Sequence, residues 1–285
     1  MVVSVEFLQP STWDDALAAK AAHPSAVPIA GGTDVMVELN FDRHRPPALL
    51  DLTRVRELTE WATDGPLLRV GAGVTYRQLI VELGEALPGL AMASRTVGSP
   101  QIRNRGTVGG NLGSASPAGD AHPPLLASDA VVELASVRGA RRVPVAEFFT
   151  APKRSVLAPD ELIAAFLVAP ATGPQQFTKV GTRNAMVIAV CSFALALHPA
   201  ERRVGTGIGS AAPTPRRAPA AEEFLAGALP WDSHGPLQDA IVAEFGALVA
   251  AAASPIDDIR GTAAYRRTAL SVMAQRTLRW AWRST

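Results

Sequence analysis

The chain has 285 residues, 48% of them hydrophobic and 19% charged, with a formal net charge of +1 at pH 7. That length allows two domains, or one core with an appended module, and the composition excludes a disordered chain. A near-zero charge gives no reason to expect nucleic acid, and the single cysteine, Cys191, excludes an internal disulfide and any Cys-ligated zinc or iron-sulfur site built within the chain.

Residues 3–8 read as a strand. Ser11 followed by Asp14 resembles a capping box, and Trp13, Leu17 and Ala21 recur at four-residue steps, which predicts a helix over 12–22. Residues 26–30 read as a buried strand, Ala30-Gly31-Gly32-Thr33-Asp34 as a glycine turn, 35–41 as a short helical or extended segment and 48–52 as a strand. This order fits a small α/β unit over 1–55. A hairpin follows, 58–62 with 67–70 around Thr63-Asp64-Gly65-Pro66, and Thr75 caps a helix to residue 83. Residues 96–119 form a long glycine-rich passage with little periodicity. It carries a second glycine pair, in Thr107-Val108-Gly109-Gly110-Asn111, and the apolar anchors Val108, Leu112 and Leu125 favour a functional loop. Strands at 130–135, 141–145 and 161–168 close a second unit over 56–170. Beyond the linker signal Pro170-Ala171-Thr172-Gly173-Pro174, strands at 177–181, 185–197 and 204–210 and helices at 218–226, 237–253 and 263–282 predict a separate α+β domain over 171–285. The longest apolar run, 185–197, is too short to span a bilayer and the amino terminus has no signal-peptide pattern. The chain is expected to be soluble and cytoplasmic, without a transmembrane segment.

A glycine pair permits positive φ and lets a ligand approach the main chain, and successive amides in such a turn form a concavity for an anion. The two pairs together read as two halves of a phosphate cradle. Thr107 and Asn111 carry donors for phosphate oxygens or ring carbonyls, while Asn111 also suits a tight turn. Asp34 is read as contributing backbone, with a helix-capping role as the alternative. Cys191 is read as core. The five histidines, His23, His44, His122, His198 and His234, show no metal-ligand spacing and are read as surface or loop residues. No nucleophile or acid/base pair emerges. Trp280 and Trp282, with Arg279 and Arg283, either dock a partner or pack beneath the last helix.

The segments Ala30-Gly31-Gly32-Thr33-Asp34, Gln101-Ile102-Arg103-Asn104-Arg105-Gly106-Thr107-Val108-Gly109-Gly110-Asn111-Leu112 and Ala115-Ser116-Pro117-Ala118-Gly119-Asp120 occur in order with Asp160-Glu161-Leu162-Ile163 and Lys179-Val180-Gly181-Thr182-Arg183. Pro213-Thr214-Pro215-Arg216-Arg217-Ala218 and Asp258-Ile259-Arg260-Gly261 follow. In these the chain resembles, almost end to end, the FAD-carrying medium subunit of molybdenum hydroxylases, the group that includes carbon monoxide dehydrogenase and xanthine dehydrogenase. The resemblance implies an α+β chain in which residues 1–170 form the two-part FAD-binding fold of the vanillyl alcohol oxidase type. A C-terminal α+β domain of a three-stranded sheet plus helices follows. It implies FAD contacts at Ala30, Gly31, Gly32, Thr33, Asp34, Val35, Gly106, Thr107, Gly109, Gly110, Asn111, Ser116, Asp120, Leu162 and Lys179, with no catalytic or metal-binding side chain.

Asp120 and Ser116 are expected near the cofactor, with an N-cap as the alternative for Asp120. Lys179 is expected as a cation that favours anionic reduced flavin, with a solvated strand-edge lysine as the alternative. Arg103 and Arg105 either assist phosphate binding or face a partner. The implied partners are a large subunit with the molybdenum cofactor and a small iron-sulfur subunit, as a dimer of heterotrimers that passes electrons to an external acceptor. Two rival functions remain at this stage. One is a stand-alone flavoenzyme using Ser192 or Glu161 as proton donor; the other is a non-catalytic assembly protein that has lost FAD.

Overall fold

The computed structural model describes residues 5–43, 45–233 and 235–284; strand residues 3 and 4 and the readings of His44 and His234 lie outside the described residues. β1 (Glu6–Leu8), α1 (Trp13–Ala22), β2 (Val27–Ile29), α2 (Val35–Asn40) and β3 (Ala48–Asp51) come first, and their strands form a parallel sheet in the order β1-β3-β2. Parallel neighbours need crossover connections, which α1 and α2 supply. The cap of α1 is Thr12 rather than Ser11: the Thr12 hydroxyl oxygen accepts from the Asp15 amide.

The chain continues with β4 (Trp61–Asp64), β5 (Leu67–Gly71), α3 (Tyr76–Glu82), α4 (Pro88–Arg95), α5 (Pro100–Arg103), α6 (Val108–Ser114) and α7 (His122–Ala127). After them come β6 (Val131–Ser136), β7 (Gly139–Pro144), α8 (Val145–Phe148), β8 (Phe149–Ala151), β9 (Arg154–Ser155) and β10 (Leu162–Val168). A five-stranded antiparallel sheet runs β4-β5-β10-β6-β7, with the wholly buried β10 at its centre. Leu50 from the first sheet, Leu134 and Phe166 from the second, and Leu79 and Leu112 from the helices belong to one continuous core.

The passage 96–119 is not irregular, since it contains α5 and α6. Helices of four and seven residues are too short to show a 3.6-residue period, and α6, with three glycines, has low intrinsic propensity. It forms because Val108 and Leu112 are buried and the Thr107 hydroxyl accepts from the Gly110 amide at 2.8 Å. The unpredicted α4 begins at Pro88, where proline is favoured.

β11 (Gln175–Val180), β12 (Cys191–His198) and β13 (Arg203–Gly209) form an antiparallel sheet in chain order, backed by α9 (Pro219–Ala228), α10 (Asp239–Ala252) and α11 (Ala263–Trp282). The strand expected over 185–197 starts only at Cys191. Its partner β11 ends at Val180, which pairs with Cys191, so residues 181–190 loop away from the sheet with Met186 at φ +50°. Phe193, Phe245 and Leu270 anchor a second core. The expected linker is docked: the Ala171 amide donates to Ala86 O and the Leu197 amide to Pro174 O. A small cluster of Ala93, Ala127, Phe177, Ala194 and Ala196 then seals β11 and β12 against α4 and α7. Among the described residues no helix is long and apolar enough to cross a membrane.

Candidate functional site

The two glycine turns lie against each other. A Cβ on Gly31 would stand 1.9 Å from Arg105 O and 2.9 Å from Gly106 N, so only glycine lets the 30–34 loop touch the backbone that enters α6. Gly109 is used in the same way, its Cβ position lying 2.4 Å from Ala72 O. The other member of each pair behaves differently: Gly32 has φ +73°, and Gly110 is exposed with only the Thr107 hydroxyl oxygen near its Cβ position, at 3.1 Å. One glycine of each pair therefore packs loop against protein; of the others, Gly32 supplies a left-handed turn, its Cβ position 3.3 Å from Met36 Cγ, and Gly110 leaves the face of α6 open. Among the described residues, the amides of Gly31, Gly32, Thr33 and Asp34, like those of Val108 and Gly109, donate no hydrogen bond to the protein. Ala30 and Val35 border the first of these loops. Asp34 is exposed and its side chain makes no capping bond to α2, so the capping alternative is not realised. The Thr107 oxygen is committed to the Gly110 amide, which leaves its hydroxyl proton to donate.

α6 also organises the loop that follows it. The Asn111 side-chain oxygen accepts from the Ala121 amide at 3.2 Å, its backbone oxygen meets His122 Nε2 at 3.1 Å, and Ser116 Oγ accepts from the Ala118 amide. His122, read as a surface or loop residue, is instead the first residue of α7 and fully buried, its ring 4.5 Å from that of Phe149. Burial pushes its pKa down to about 4, so it is neutral near pH 7.

The braced loop presents Asp120 to β11. Lys179 Nζ donates to Asp120 Oδ2 at 2.5 Å and to Thr96 O at 3.4 Å, and the Thr96 hydroxyl donates to the same carboxylate oxygen at 3.3 Å. Both charged side chains are only 8% exposed. Asp120 Oδ1 is buried without a partner. Burial raises the Asp120 pKa and the Lys179 ammonium opposes it. Lys179 is thus neither a solvated edge residue nor an uncompensated cation, because an acid contributed by another part of the fold balances it.

Leu162, first in β10, is 2% exposed and its side chain is part of the core. Tyr76 is also fully buried, its ring against the position of a Cβ on Gly106, and burial raises its pKa. Sequence reasoning missed Tyr76, Thr96 and His122 as parts of this site, since each contributes through a long-range contact that no local pattern announces. Of the two proton-donor candidates, Glu161 is held by both oxygens to Arg141, whose guanidinium keeps its pKa low, and Ser192 is buried within β12.

Beside these groups runs an open cleft. A region of about 670 Å³ bordered by Val37, Ile102 and Ile188 adjoins one of about 440 Å³ bordered by Thr96, Arg103 and Lys179, and both touch Gly98, Ser99, Arg183, Met186 and Val187. Each is within the range of small-molecule sites. Among the described residues no group of three or more His, Cys, Asp or Glu side chains is placed to hold a metal ion.

Comparison with known proteins gives two family matches. Residues 3–170 match the FAD binding domain in molybdopterin dehydrogenase, and residues 176–281 match the CO dehydrogenase flavoprotein C-terminal domain. The chain is 36% identical over 226 residues to a putative xanthine dehydrogenase FAD-binding subunit of Escherichia coli, covering 75% of this chain and 76% of the relative. It is 29% identical over 280 residues to the nicotine 6-hydroxylase medium subunit of Paenarthrobacter nicotinovorans, covering 96% of each. A chain of carbon monoxide dehydrogenase from Hydrogenophaga pseudoflava superposes with a TM-score of 0.89 at 26% identity, covering 98% of both.

Proposed function

The chain belongs to the family of FAD-binding domains of molybdopterin dehydrogenases, and from that premise we propose that it is the electron-transfer subunit of a multi-subunit molybdenum hydroxylase. FAD is its cofactor, and when bound it supplies exchange between one- and two-electron transfer. The residues present fit that group. Two stretches of unbonded amides, at 31–34 and 108–109, are brought side by side by the Gly31 contact; this is the observation that carries the reading, because a diphosphate needs donors from both sides. The hydroxyl proton of Thr107, the side-chain amide of Asn111 and the Ser116 hydroxyl add neutral donors at one edge, and Asp120 Oδ1 is an acceptor for ring or ribityl hydrogens. Lys179 fixes that carboxylate in place, and Leu162 backs the site from the core.

Glu161 is tied to Arg141 and Ser192 is buried within β12, so neither proton-donor candidate of the stand-alone reading borders the cleft, and the relay reading needs none. The proposed partners are a large molybdenum-cofactor subunit and a small iron-sulfur subunit, assembled as a dimer of heterotrimers, with substrate choice made by the large one. The test is purification from the native source with metal analysis and identification of co-purifying chains, together with FAD titration of the isolated chain. A chain that takes up FAD and co-purifies with molybdenum and iron supports the proposal. A colourless chain that takes up no FAD refutes it and favours the assembly-protein alternative.

A further inference from the structure

The segment 115–121, which carries Ser116 and Asp120, is held from two sides. From the flavin-binding region, the Asn111 side chain accepts from the Ala121 amide. From the C-terminal domain, the amide of Ser210, the residue after β13, donates to Pro117 O at 2.8 Å. The helix that follows the segment, α7, rests on the same strand: a Cβ on Gly205 would overlap Ala127 O, and one on Gly207 would overlap Pro123 O. The end of β13 is therefore the platform against which the segment is set.

A buried cation fixes that end. Arg266, near the start of α11, is 4% exposed; its Nη1 donates to Ser210 O at 2.6 Å and its Nη2 to Asp258 Oδ1 at 2.5 Å. Stability alone does not call for these residues. Ser210 holds φ +59°, which glycine adopts at less cost, and its Oγ, like Arg266 Nε, is buried without a partner. A buried ion pair is often matched or bettered in stability by apolar side chains of similar volume. What the arrangement delivers is direction. With its carbonyl pinned by the guanidinium, Ser210 aims its amide at Pro117 O, beside Ser116. Backbone held in a sparsely populated conformation by its surroundings clusters at functional sites.

We propose that Arg266 is a positioning residue for flavin binding: through Ser210 and Pro117 it sets the loop that offers Ser116 and Asp120 to FAD. The inference rests on the placement of FAD beside those two residues. Arg266 is buried and does not border the cleft, so its effect reaches the cofactor through the backbone of the loop and not by contact. A helix of the C-terminal domain thereby governs the shape of a site built on the flavin-binding region.

The test uses the purified multi-subunit complex, stripped of FAD and titrated back with it, with flavin fluorescence, flavin absorption and the denaturation midpoint read together. Arg266→Met combined with Asp258→Asn removes the ion pair without stranding a buried charge. It weakens FAD binding by about tenfold, the value of about one hydrogen bond at the site, and alters the flavin absorption spectrum. Arg266→Lys keeps the cation and one donor and retains part of the affinity. Arg267→Met removes an exposed cation one residue away and leaves FAD binding as in the parent. Ser116→Ala weakens FAD binding by itself, and adds less than that in the Arg266→Met background, because both changes act through one loop. If the Met variant fails to assemble, Arg266→Lys carries the same comparison with Ser116→Ala. A lowered denaturation midpoint with FAD affinity and spectrum unchanged overturns the proposal and leaves Arg266 a tie within the C-terminal domain. Full additivity with Ser116→Ala overturns it, as does an equal effect of Arg267→Met. A complex without flavin, or one whose FAD affinity Ser116→Ala leaves unaltered, refutes the FAD placement and the proposal with it. Sensitivity to Ser116→Ala with none to the Arg266 variants refutes the proposal alone.

Discussion

Replacing Gly31 by alanine, with Gly110→Val as its counterpart, separates the two uses of glycine in this site. The new Cβ at position 31 meets Arg105 O at 1.9 Å and Gly106 N at 2.9 Å, both backbone atoms that cannot rotate aside. Restoring even a 3.0 Å contact moves one loop by about 1.1 Å, an overpacking that costs about 1–3 kcal/mol. In a chain of this size that lowers Tm by roughly 2–10 °C. The FAD-free protein shows the same loss, because the collision is between parts of the protein. At Gly110 the Cβ meets only the Thr107 hydroxyl oxygen, at 3.1 Å, and the position is exposed. Valine there changes helix propensity by a few tenths of about 1 kcal/mol and leaves the FAD-free Tm within about 2 °C, yet it projects branched carbons over the open face of α6 and weakens FAD binding by about tenfold or more. Differential scanning calorimetry without flavin and fluorescence titration with FAD measure the two effects separately. If Gly31→Ala melts like the parent, or if Gly110→Val unfolds the chain while leaving FAD affinity intact, the division of labour argued for the two pairs is wrong.

Asp120→Asn leaves the Lys179 ammonium buried against a neutral amide and is expected to cost about 3–5 kcal/mol; Asp120→Asn with Lys179→Met recovers most of it, and the coupling follows from a double-mutant cycle of denaturation midpoints. Stability falls as pH drops from about 6.5 to about 4. His122 is neutral in the fold with its pKa pushed down to about 4, so in that window the unfolded chain binds a proton that the folded one refuses, and the loss reaches about 3 kcal/mol at pH 4. His122→Gln removes that share of the acid limb in a pH series of urea melts, and an unchanged acid limb assigns it to other groups. Cys191 is buried and its thiol is pushed up to about 12, so iodoacetamide at pH 8 labels it only at the rate of global unfolding, as mass spectrometry after timed exposure reports.

What the sequence disclosed and what it withheld have one physical boundary. The helices α9, α10 and α11 and the strands β6, β10 and β13 lie within a few residues of their expected positions, because each is marked by a local signal, a periodic apolar face or, in the wholly buried β10, a short continuous apolar run. The short α4, α5 and α6 were invisible for the opposite reason: they are helical through Pro88, the Thr107 cap and burial of Val108 and Leu112, contributions that period counting does not see. Residues 185–190 of the loop were misread as strand because Ala185, Met186, Val187 and Ile188 are apolar, and only the end of β11 at Val180 leaves them without a neighbour. Residues 181–188 of that loop, all exposed or half-exposed, then border the cleft. The site shows the same division. Its glycines were legible because positive φ and close approach demand that residue type wherever the partner lies. The pairing of Lys179 was not legible, because its partner Asp120 is placed 2.5 Å away by a helix, a buried histidine and a loop. A lone lysine beside a flavin and a lysine already paired with a buried acid differ by a full unit of charge. On the FAD placement proposed above, the electrostatic tuning of this site resides in the Lys179–Asp120 contact between the region matched as FAD-binding and the C-terminal sheet, and a substitution that loosens that contact is expected to change the field at the site without touching the cofactor.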